Sequence, residues 1–297
     1  MTDLLFGLGL STSAAPGADP VGDARRAEEL GFDFVSASDH PCGTQPTFET
    51  WTMLSWIAAA TSRIRIATKV LGVPYRSPAL VAKMAETLSR LSGGRLILGL
   101  GGGSADHEFH AFGLPVPSPR EKVDGMEEAI RIAHGLWATP GFSFRGRYHH
   151  TEAADLEPKP EHRIPIWLGT FGPRALEVTG RLADGWIPSL GYAPPEQIPA
   201  MRDRVLAAAR RAGREPADIT CAYHMTIRVD EHASRNSVID PDDLIDVCGP
   251  PGAVADALAG FAKLGFTAMN LAPGGADPAE QTERLTREVI PQVKAAL

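Results

Sequence analysis

Short β-type runs alternate with amphipathic helical runs from one end of the 297-residue chain to the other. This alternation is typical of βαβ units, in which parallel strands lie side by side under a cover of helices. Eight strand–helix pairs can be counted, and the even count favours a closed barrel over an open doubly wound sheet. The sequence therefore predicts an α/β fold, a single (β/α)₈ TIM barrel formed by residues 1–297. The predicted strands are Leu4–Leu10, Phe32–Ser36, Ile64–Leu71, Leu96–Leu100, Pro165–Gly169, Gly185–Pro188, Ile219–Val229 and Thr267–Leu271.

Helix start and stop signals separate these strands. Asp19 is a suitable N-cap for the first helix, and Gly31 is a suitable stop. Segment 138–164 is too long for an ordinary connection, so we predict an insertion between helix 4 and strand 5. Segment 230–247 is polar and carries no strong pattern. The predicted helices are Pro20–Leu30, Thr47–Ala60, a helix from Ser77-Pro78 to Gly93-Gly94, Pro119–Trp137, Pro173–Leu182, Pro194–Ala212, Gly252–Leu264 and Pro278–Ala296.

The composition restricts the class of protein. Hydrophobic residues make up 43% of the chain and charged residues 22%, a balance typical of a compact globular protein. A net charge of −7 without a dense Lys/Arg run argues against a nucleic-acid partner. No apolar window approaches the roughly 20 residues that cross a bilayer, so no membrane partner is expected. Cys42, Cys221 and Cys248 are scattered without C-x-x-C spacing, which favours a reducing cytoplasm over a disulfide framework.

Four polar or glycine-rich loops directly follow predicted strands. They cover residues 38–41, 72–75, 101–104 and 170–174. Because the loops at the carboxyl ends of barrel strands converge on one pocket, we expect the chemistry of this chain to lie there.

Asp39 and His40 form the most reactive pair in these loops. An imidazole near neutral pKa can move a proton, and an adjacent carboxylate can position a loop or a cofactor. A purely structural interpretation stays open, in which Asp39 caps the following turn and His40 packs at the barrel rim.

Glycines dominate two of the other loops. Gly101 and Gly102 would let the backbone approach a flat ring closely, although a tight turn explains them as well. The run from Gly169 to Arg174 ends a strand and begins a helix, so its backbone N–H groups and the helix dipole suit a phosphate. An ordinary helix started by Pro173 is the alternative.

Metal and hydrolase chemistry find little support. Asp106, His107, Glu108 and His110 are crowded, but their spacing matches no familiar metal site and such surface residues are usually solvated. No G-x-S-x-G elbow is present for a nucleophilic serine. We therefore predict no metal site.

In combination, these segments resemble the bacterial luciferase-like family of flavin- and deazaflavin-dependent oxidoreductases over nearly the whole chain. The family's fold is a (β/α)₈ barrel with an insertion, in agreement with the strand count. The motifs that carry the resemblance are Ser38-Asp39-His40, Val70 to Pro74, Arg76-Ser77-Pro78, Leu91 to Gly101, Gly169 to Arg174, Ala183 to Trp186 and Cys248 to Pro251.

The resemblance implies particular roles for individual residues. It implies that His40 handles a proton, and that Gly72-Val73 forms a non-prolyl cis peptide behind the central ring of the cofactor. It also implies that Ser104 stands where related dehydrogenases have a glutamate that acts as an acid or base, so a sugar-phosphate dehydrogenase mechanism is not expected. The implied cofactor-binding residues are Asp39, Gly72, Val73, Gly101, Gly102, His107, Gly169, Thr170, Gly172, Pro173 and Arg174.

The function implied by the resemblance is hydride transfer between coenzyme F420, a deazaflavin, and a small organic substrate. One alternative is an FMN-dependent monooxygenase served by a separate flavin reductase. Another is a deazaflavin-binding protein without catalysis. Members of the family are often homodimers, so a homodimer is expected.

Overall fold

The computed structural model describes residues 4–233 and 245–297. Its strands are Leu5–Gly9 (β1), Phe34–Ala37 (β2), Arg65–Thr68 (β3), Leu71–Gly72 (β4), Leu96–Gly101 (β5), Phe142–Arg145 (β6), His150–Ala154 (β7), Ile166–Leu168 (β8), Gly185–Trp186 (β9), Thr220–Val229 (β10), Val247–Gly249 (β11) and Ala268–Pro273 (β12). Its helices are Pro20–Leu30 (α1), Thr50–Ala60 (α2), Pro78–Leu91 (α3), Asp106–Ala111 (α4), Pro119–Ala138 (α5), Pro173–Leu182 (α6), Ile198–Arg211 (α7), Pro251–Lys263 (α8), Pro278–Arg284 (α9) and Ile290–Ala295 (α10).

The strands close into a parallel barrel. The order around the barrel is β1, β2, β3, β5, β8, β9, β10 and β12, and β12 pairs with β1. Strand β11 lies outside this ring, paired with β10. The predicted (β/α)₈ barrel is thereby confirmed, and the open doubly wound sheet is wrong.

The third barrel strand differs from its prediction as one run over 64–71. It is split into β3, which pairs with β2 and β5, and β4, which pairs with β5 alone. Between them, the Thr68 hydroxyl donates to the Gly99 carbonyl oxygen at 2.7 Å and accepts from the Gly99 N–H at 2.8 Å. A side chain thus replaces the backbone ladder at this point, and the chain is free to bulge inward.

The predicted insertion contains regular structure of its own. Strands β6 and β7 form an antiparallel hairpin with a bulge between Phe142 and Phe144. The last predicted helix is also divided, since a π turn at Leu285–Val289 separates α9 from α10. Among the described helices, none combines the length and apolar character that crossing a membrane requires.

The inside of the barrel changes character along the strands. A lower apolar layer of seven buried residues fills it. Side chains two residues apart on a strand point to the same face. The residue two positions after each member of this layer therefore also points into the barrel, one level closer to the carboxyl ends of the strands. These positions hold glycines and polar residues. The lower layer is Phe34, Ala67, Ile97, Trp167, Ile187, Ala222 and Ala268, and the layer above it is Gly7, Ser36, Lys69, Gly99, Gly169, Ser189, His224 and Asn270.

Candidate functional site

Val70 bulges into the mouth of the barrel, and glycines make room for it. A Cβ atom on Gly101 would lie 2.6 Å from Val70 Cγ2, and a Cβ atom on Gly169 would lie 3.2 Å from it. Only glycine allows such a close approach of the neighbouring strands. Val70 itself is only partly buried. An apolar surface therefore faces the space above the barrel interior.

The non-prolyl cis peptide lies at Lys69–Val70. The expectation that it forms at Gly72-Val73 is wrong by three residues. Gly72 instead lies in β4, paired with Gly101, and Val73 begins a 3₁₀ turn and is buried. The reason is that pairing of the third strand with β5 stops after Ala67 and resumes at Leu71, so the irregular backbone lies between these two residues.

Asp39 holds the loops after the second and third barrel strands together. It is buried, and its Oδ2 atom accepts from the Gly72 N–H at 3.0 Å. Its two oxygens also accept from the Arg76 guanidinium at 2.7 and 3.0 Å. Such a bidentate pair fixes geometry as well as charge. The Asp39 carboxylate therefore positions a neighbouring loop, as predicted.

His40 is oriented by a buried carboxylate. Its Nδ1 atom lies 3.0 Å from Glu108 Oε1, and the Tyr75 hydroxyl donates to the other oxygen, Oε2. The side chain of His40 is 53% exposed, whereas that of Glu108 is 4% exposed. Burial and the hydrogen bond with Glu108 raise the pKa of Tyr75 well above its usual range, so its hydroxyl stays protonated.

This arrangement fixes the imidazole tautomer. With Nδ1 donating its hydrogen to Glu108, Nε2 is the basic atom. Within the described ranges, Nε2 makes no hydrogen bond, and the exposed ring presents it at the rim of the mouth. A base held by a buried carboxylate and directed toward open space can exchange a proton with a small molecule.

The residues around α4 correct the sequence interpretation. The sequence predicts that Glu108 is a solvated surface residue, but it is buried together with Phe109. Ser104 and His107 are exposed at the rim. The signal that could have found Glu108 is the apolar Phe109 beside it, because a short helix after the glycine loop turns adjacent positions 108 and 109 inward and 106, 107 and 110 outward.

The glycines of the preceding loop shape this inward turn. A Cβ atom on Gly102 would lie 2.9 Å from the Cβ atom of Lys122. Gly103 has a φ of +78°, and a Cβ atom there would lie 2.3 Å from the Phe109 ring. The glycines after β5 thus allow α4 to pack closely against the loop. They also form the tight turn that the sequence allowed as one explanation for them.

The loop after β8 leads into a helix N-terminus. Gly172 is the N-cap of α6, it is exposed, and a Cβ atom added to it would meet nothing within 4 Å. Pro173 occupies the first turn, and Arg174 forms an ion pair with Asp124 while remaining 54% exposed. Open backbone N–H groups and a guanidinium at a helix N-terminus suit an anion.

Thr170 differs from its neighbours in this loop. Its side chain is buried and shares a 2.7 Å hydrogen bond with the Thr179 hydroxyl. Its carbonyl oxygen accepts from the Trp186 indole N–H at 2.9 Å. Thr170 therefore anchors the loop to the core with its side chain, and it can offer only backbone to a ligand.

Two sequence relatives and one solved structure are similar to this chain. An F420-dependent glucose-6-phosphate dehydrogenase from Kineococcus radiotolerans is 29% identical over 311 residues, covering 91% of each chain. One from Nakamurella multipartita is 35% identical over 220 residues, covering 70% of this chain and 63% of the relative. The solved structure of an F420-dependent secondary alcohol dehydrogenase, in complex with an F420-acetone adduct, superimposes with a TM-score of 0.87 at 22% identity, covering 98% of this chain and 99% of that one.

The match to a protein family covers most of the chain. The sequence profile described as luciferase-like monooxygenase matches residues 5–237, which span β1 to the region after β10 and include every strand-end loop discussed above. This chain therefore belongs to the luciferase-like monooxygenase family.

Proposed function

We propose that this protein transfers a hydride between coenzyme F420 and a small organic substrate. The observation that carries the proposal is the mouth of the barrel, where a partly exposed Val70 bulge, an oriented His40 and an open helix N-terminus at Gly172 lie on converging loops. Relatives named for F420 dependence, one of them matched over 91% of each chain, support the choice of cofactor.

The residues present fit a flat ring that carries a phosphate tail. Gly101 and Gly169 make room for the Val70 side chain, which presents an apolar surface at the mouth against which a flat ring could lie. The N-terminus of α6, with Gly172 and Arg174, would hold the phosphate. When bound, the deazaflavin supplies a carbon, C5, that takes up or gives a hydride.

His40 is the residue that we assign to proton exchange at the rim. Glu108 holds its Nδ1 atom, and the Tyr75 hydroxyl donates to the other oxygen of that carboxylate. His40 can then accept a proton at Nε2, and the buried carboxylate stabilises the imidazolium that results.

We infer that the substrate is a small molecule in which an alcohol and a carbonyl interconvert. The relatives are named for glucose 6-phosphate and for secondary alcohols, and both reactions oxidise a carbon that carries oxygen. A proton-exchanging histidine at the rim suits this class, because the proton released from the hydroxyl must leave the site.

Two exposed helices support the proposal of a homodimer. Trp56 on α2 is 72% exposed, and Leu91 at the end of α3 is 82% exposed. Leu80, also on α3, is 56% exposed. Large apolar side chains grouped on neighbouring helices are typical of an interface. Light scattering after gel filtration would give twice the chain mass for the wild type, and Trp56→Glu would shift it toward one chain mass.

The cofactor proposal is tested by titrating the purified protein with F420 and with FMN separately, following fluorescence quenching. F420 is expected to bind at least 10-fold more tightly. The loaded protein is then mixed with secondary alcohols and with glucose 6-phosphate, and loss of the visible absorbance of oxidised F420 is followed. Tighter binding of FMN would contradict the choice of cofactor, and F420 binding without turnover on any alcohol would contradict the reaction.

A further inference from the structure

A row of polar side chains crosses the barrel directly above its apolar layer. Lys69 Nζ lies 3.0 Å from His224 Nε2, which connects the third barrel strand to β10. His224 Nδ1 lies 3.3 Å from the Asn270 carbonyl oxygen on β12. The row ends at β2, where the Ser36 hydroxyl donates to Asn270 Oδ1 at 3.0 Å.

His224 is a neutral imidazole at the centre of this row. Its Nε2 atom faces the Lys69 amine at 3.0 Å, and its Nδ1 atom lies 3.3 Å from the Asn270 carbonyl oxygen and 3.2 Å from Asn270 Nδ2. Burial, together with the neighbouring Lys69, lowers the pKa of His224 to about 3.

Two opposite effects act on the charge of the Lys69 amine. The Asp246 carboxylate attracts the ammonium, and this carboxylate accepts from the Thr226 N–H at 2.7 Å. Burial outweighs the attraction of Asp246 and lowers the pKa of Lys69 to about 8. A lysine amine changes its pKa readily when it is withdrawn from water, which is a property of lysines that act as bases.

The amine borders the candidate site. Lys69 is joined directly to Val70, the residue that bulges into the mouth, and both Lys69 and His224 are only partly buried. Below them the barrel is filled by Ala67, Ala222 and the rest of the apolar layer. The exposed part of the Lys69–His224 pair therefore faces the mouth of the barrel.

We propose that Lys69, supported by His224, is an acid–base residue that exchanges the hydroxyl proton of the substrate. The proposal rests on the proposed F420-dependent function and specifies the deep end of the same site. In the oxidative direction, the substrate C–H bond breaks and its electron pair leaves as hydride to C5 of the deazaflavin. The O–H bond breaks, its proton goes to the neutral Lys69 amine, and a C=O bond forms. The substrate is oxidised, the deazaflavin is reduced, and the ammonium returns the proton in the reverse reaction.

His224 is a positioning residue in this scheme. Its Nε2 atom lies 3.0 Å from Lys69 Nζ and so fixes the direction of the amine. Burial, and not His224, lowers the pKa of the amine.

The first test needs neither cofactor nor substrate. Lysines are acetylated with trace acetic anhydride over a pH series. The extent of acetylation of each lysine is measured at each pH by peptide mass spectrometry. The reactivity of Lys69 is expected to rise with a midpoint near pH 8, below that of Lys263, which is exposed on α8. A midpoint at or above that of Lys263 would overturn the proposal.

The second test uses Lys69→Met, Lys69→Arg and the control Lys83→Met, which removes a lysine paired with Glu86 on α3. With F420 and the best alcohol of the panel, Lys69→Met and Lys69→Arg are expected to lose roughly 10²-fold or more in kcat. Both should keep F420 affinity within about 3-fold, and Lys83→Met should resemble the wild type. Ethylamine should restore part of the Lys69→Met rate, because a free amine can take the proton.

The outcomes separate this proposal from the function on which it rests. Full activity of Lys69→Met with an unchanged pH profile, or loss of its F420 affinity in parallel with kcat, would overturn the acid–base role. A wild type that fails to bind F420 would overturn the proposed function, whatever the acetylation result. A wild type that binds F420 but oxidises none of the alcohols would overturn both the reaction and the proton exchange.

Discussion

Glu108 and His40 are 68 residues apart in sequence, and their Oε1 and Nδ1 atoms lie 3.0 Å apart in the fold. The carboxylate comes from a six-residue helix after the fourth barrel strand, β5, and the imidazole from the loop after β2. Tyr75, from a third loop, completes the contact. A proton-exchanging group at this rim therefore depends on three separate strand-end loops.

Replacing His40 by Ala is expected to lower kcat by roughly 10²-fold, because proton exchange by a positioned side chain contributes about that much. The loss should appear in kcat with little change in F420 affinity. Steady-state kinetics over a pH series provide the measurement. An unaltered pH–rate profile would remove His40 from the reaction.

Replacing Glu108 by Gln is expected to lower kcat by roughly 10-fold to 10²-fold, since an amide can present N–H to Nδ1 and so favour the wrong imidazole tautomer. The matched control is Asp106→Asn, which changes an exposed carboxylate on the same helix. In a double variant with His40→Ala, the added loss should be small because the two residues act as a unit. Fully additive losses would show that Glu108 acts independently of His40.

Replacing Gly172 by Glu is expected to weaken F420 binding by at least 10-fold. The backbone there is extended and the position is open, so the fold should accept the side chain, while the added negative charge would oppose a phosphate. Gly260→Glu, at an equally open position on α8, is the control. Fluorescence titration gives the two affinities, and equal values would mean that the phosphate binds elsewhere.

A stability prediction follows from Glu28 on α1. Its Oε1 atom accepts from the N–H groups of Ser62, Arg63 and Ile64 at 2.9, 2.5 and 2.9 Å. Burial raises the pKa of Glu28, but these hydrogen bonds outweigh it and lower the pKa to about 2. The folded pKa lies below the unfolded value, so the stabilisation is present at neutral pH and is lost as pH falls from about 4.5 toward 2.

Glu28→Gln is therefore expected to reduce the free energy of unfolding by about 1 kcal/mol at pH 7. The difference from the wild type should shrink as the pH is lowered below 4. Urea unfolding at pH 7 and at pH 3 measures it. A difference that stays constant between the two pH values would assign the effect to packing and not to charge.

Several properties of this chain follow from its sequence. Alternating strand and helix signals are local, so they predict the barrel and place the strand-end loops, and glycine-rich segments near positions 101 and 169 stand out in the same way. The order of these loops around one mouth follows from parallel topology. The assignment of residues 1–297 to one domain, the roles of all the predicted catalytic and cofactor-binding residues, and a cytoplasmic location stay predictions.

Other properties depend on tertiary structure, because they involve contacts between residues distant in sequence. The inward turn of α4 that buries Glu108 follows from packing of Phe109, and the bulge at Val70 follows from a Thr68 side chain that interrupts the strand ladder. The meeting of Lys69 and His224 requires two strands on opposite sides of a closed ring. Sequence patterns report which face a residue occupies, whereas the partner it meets across the barrel is set only when the ring closes.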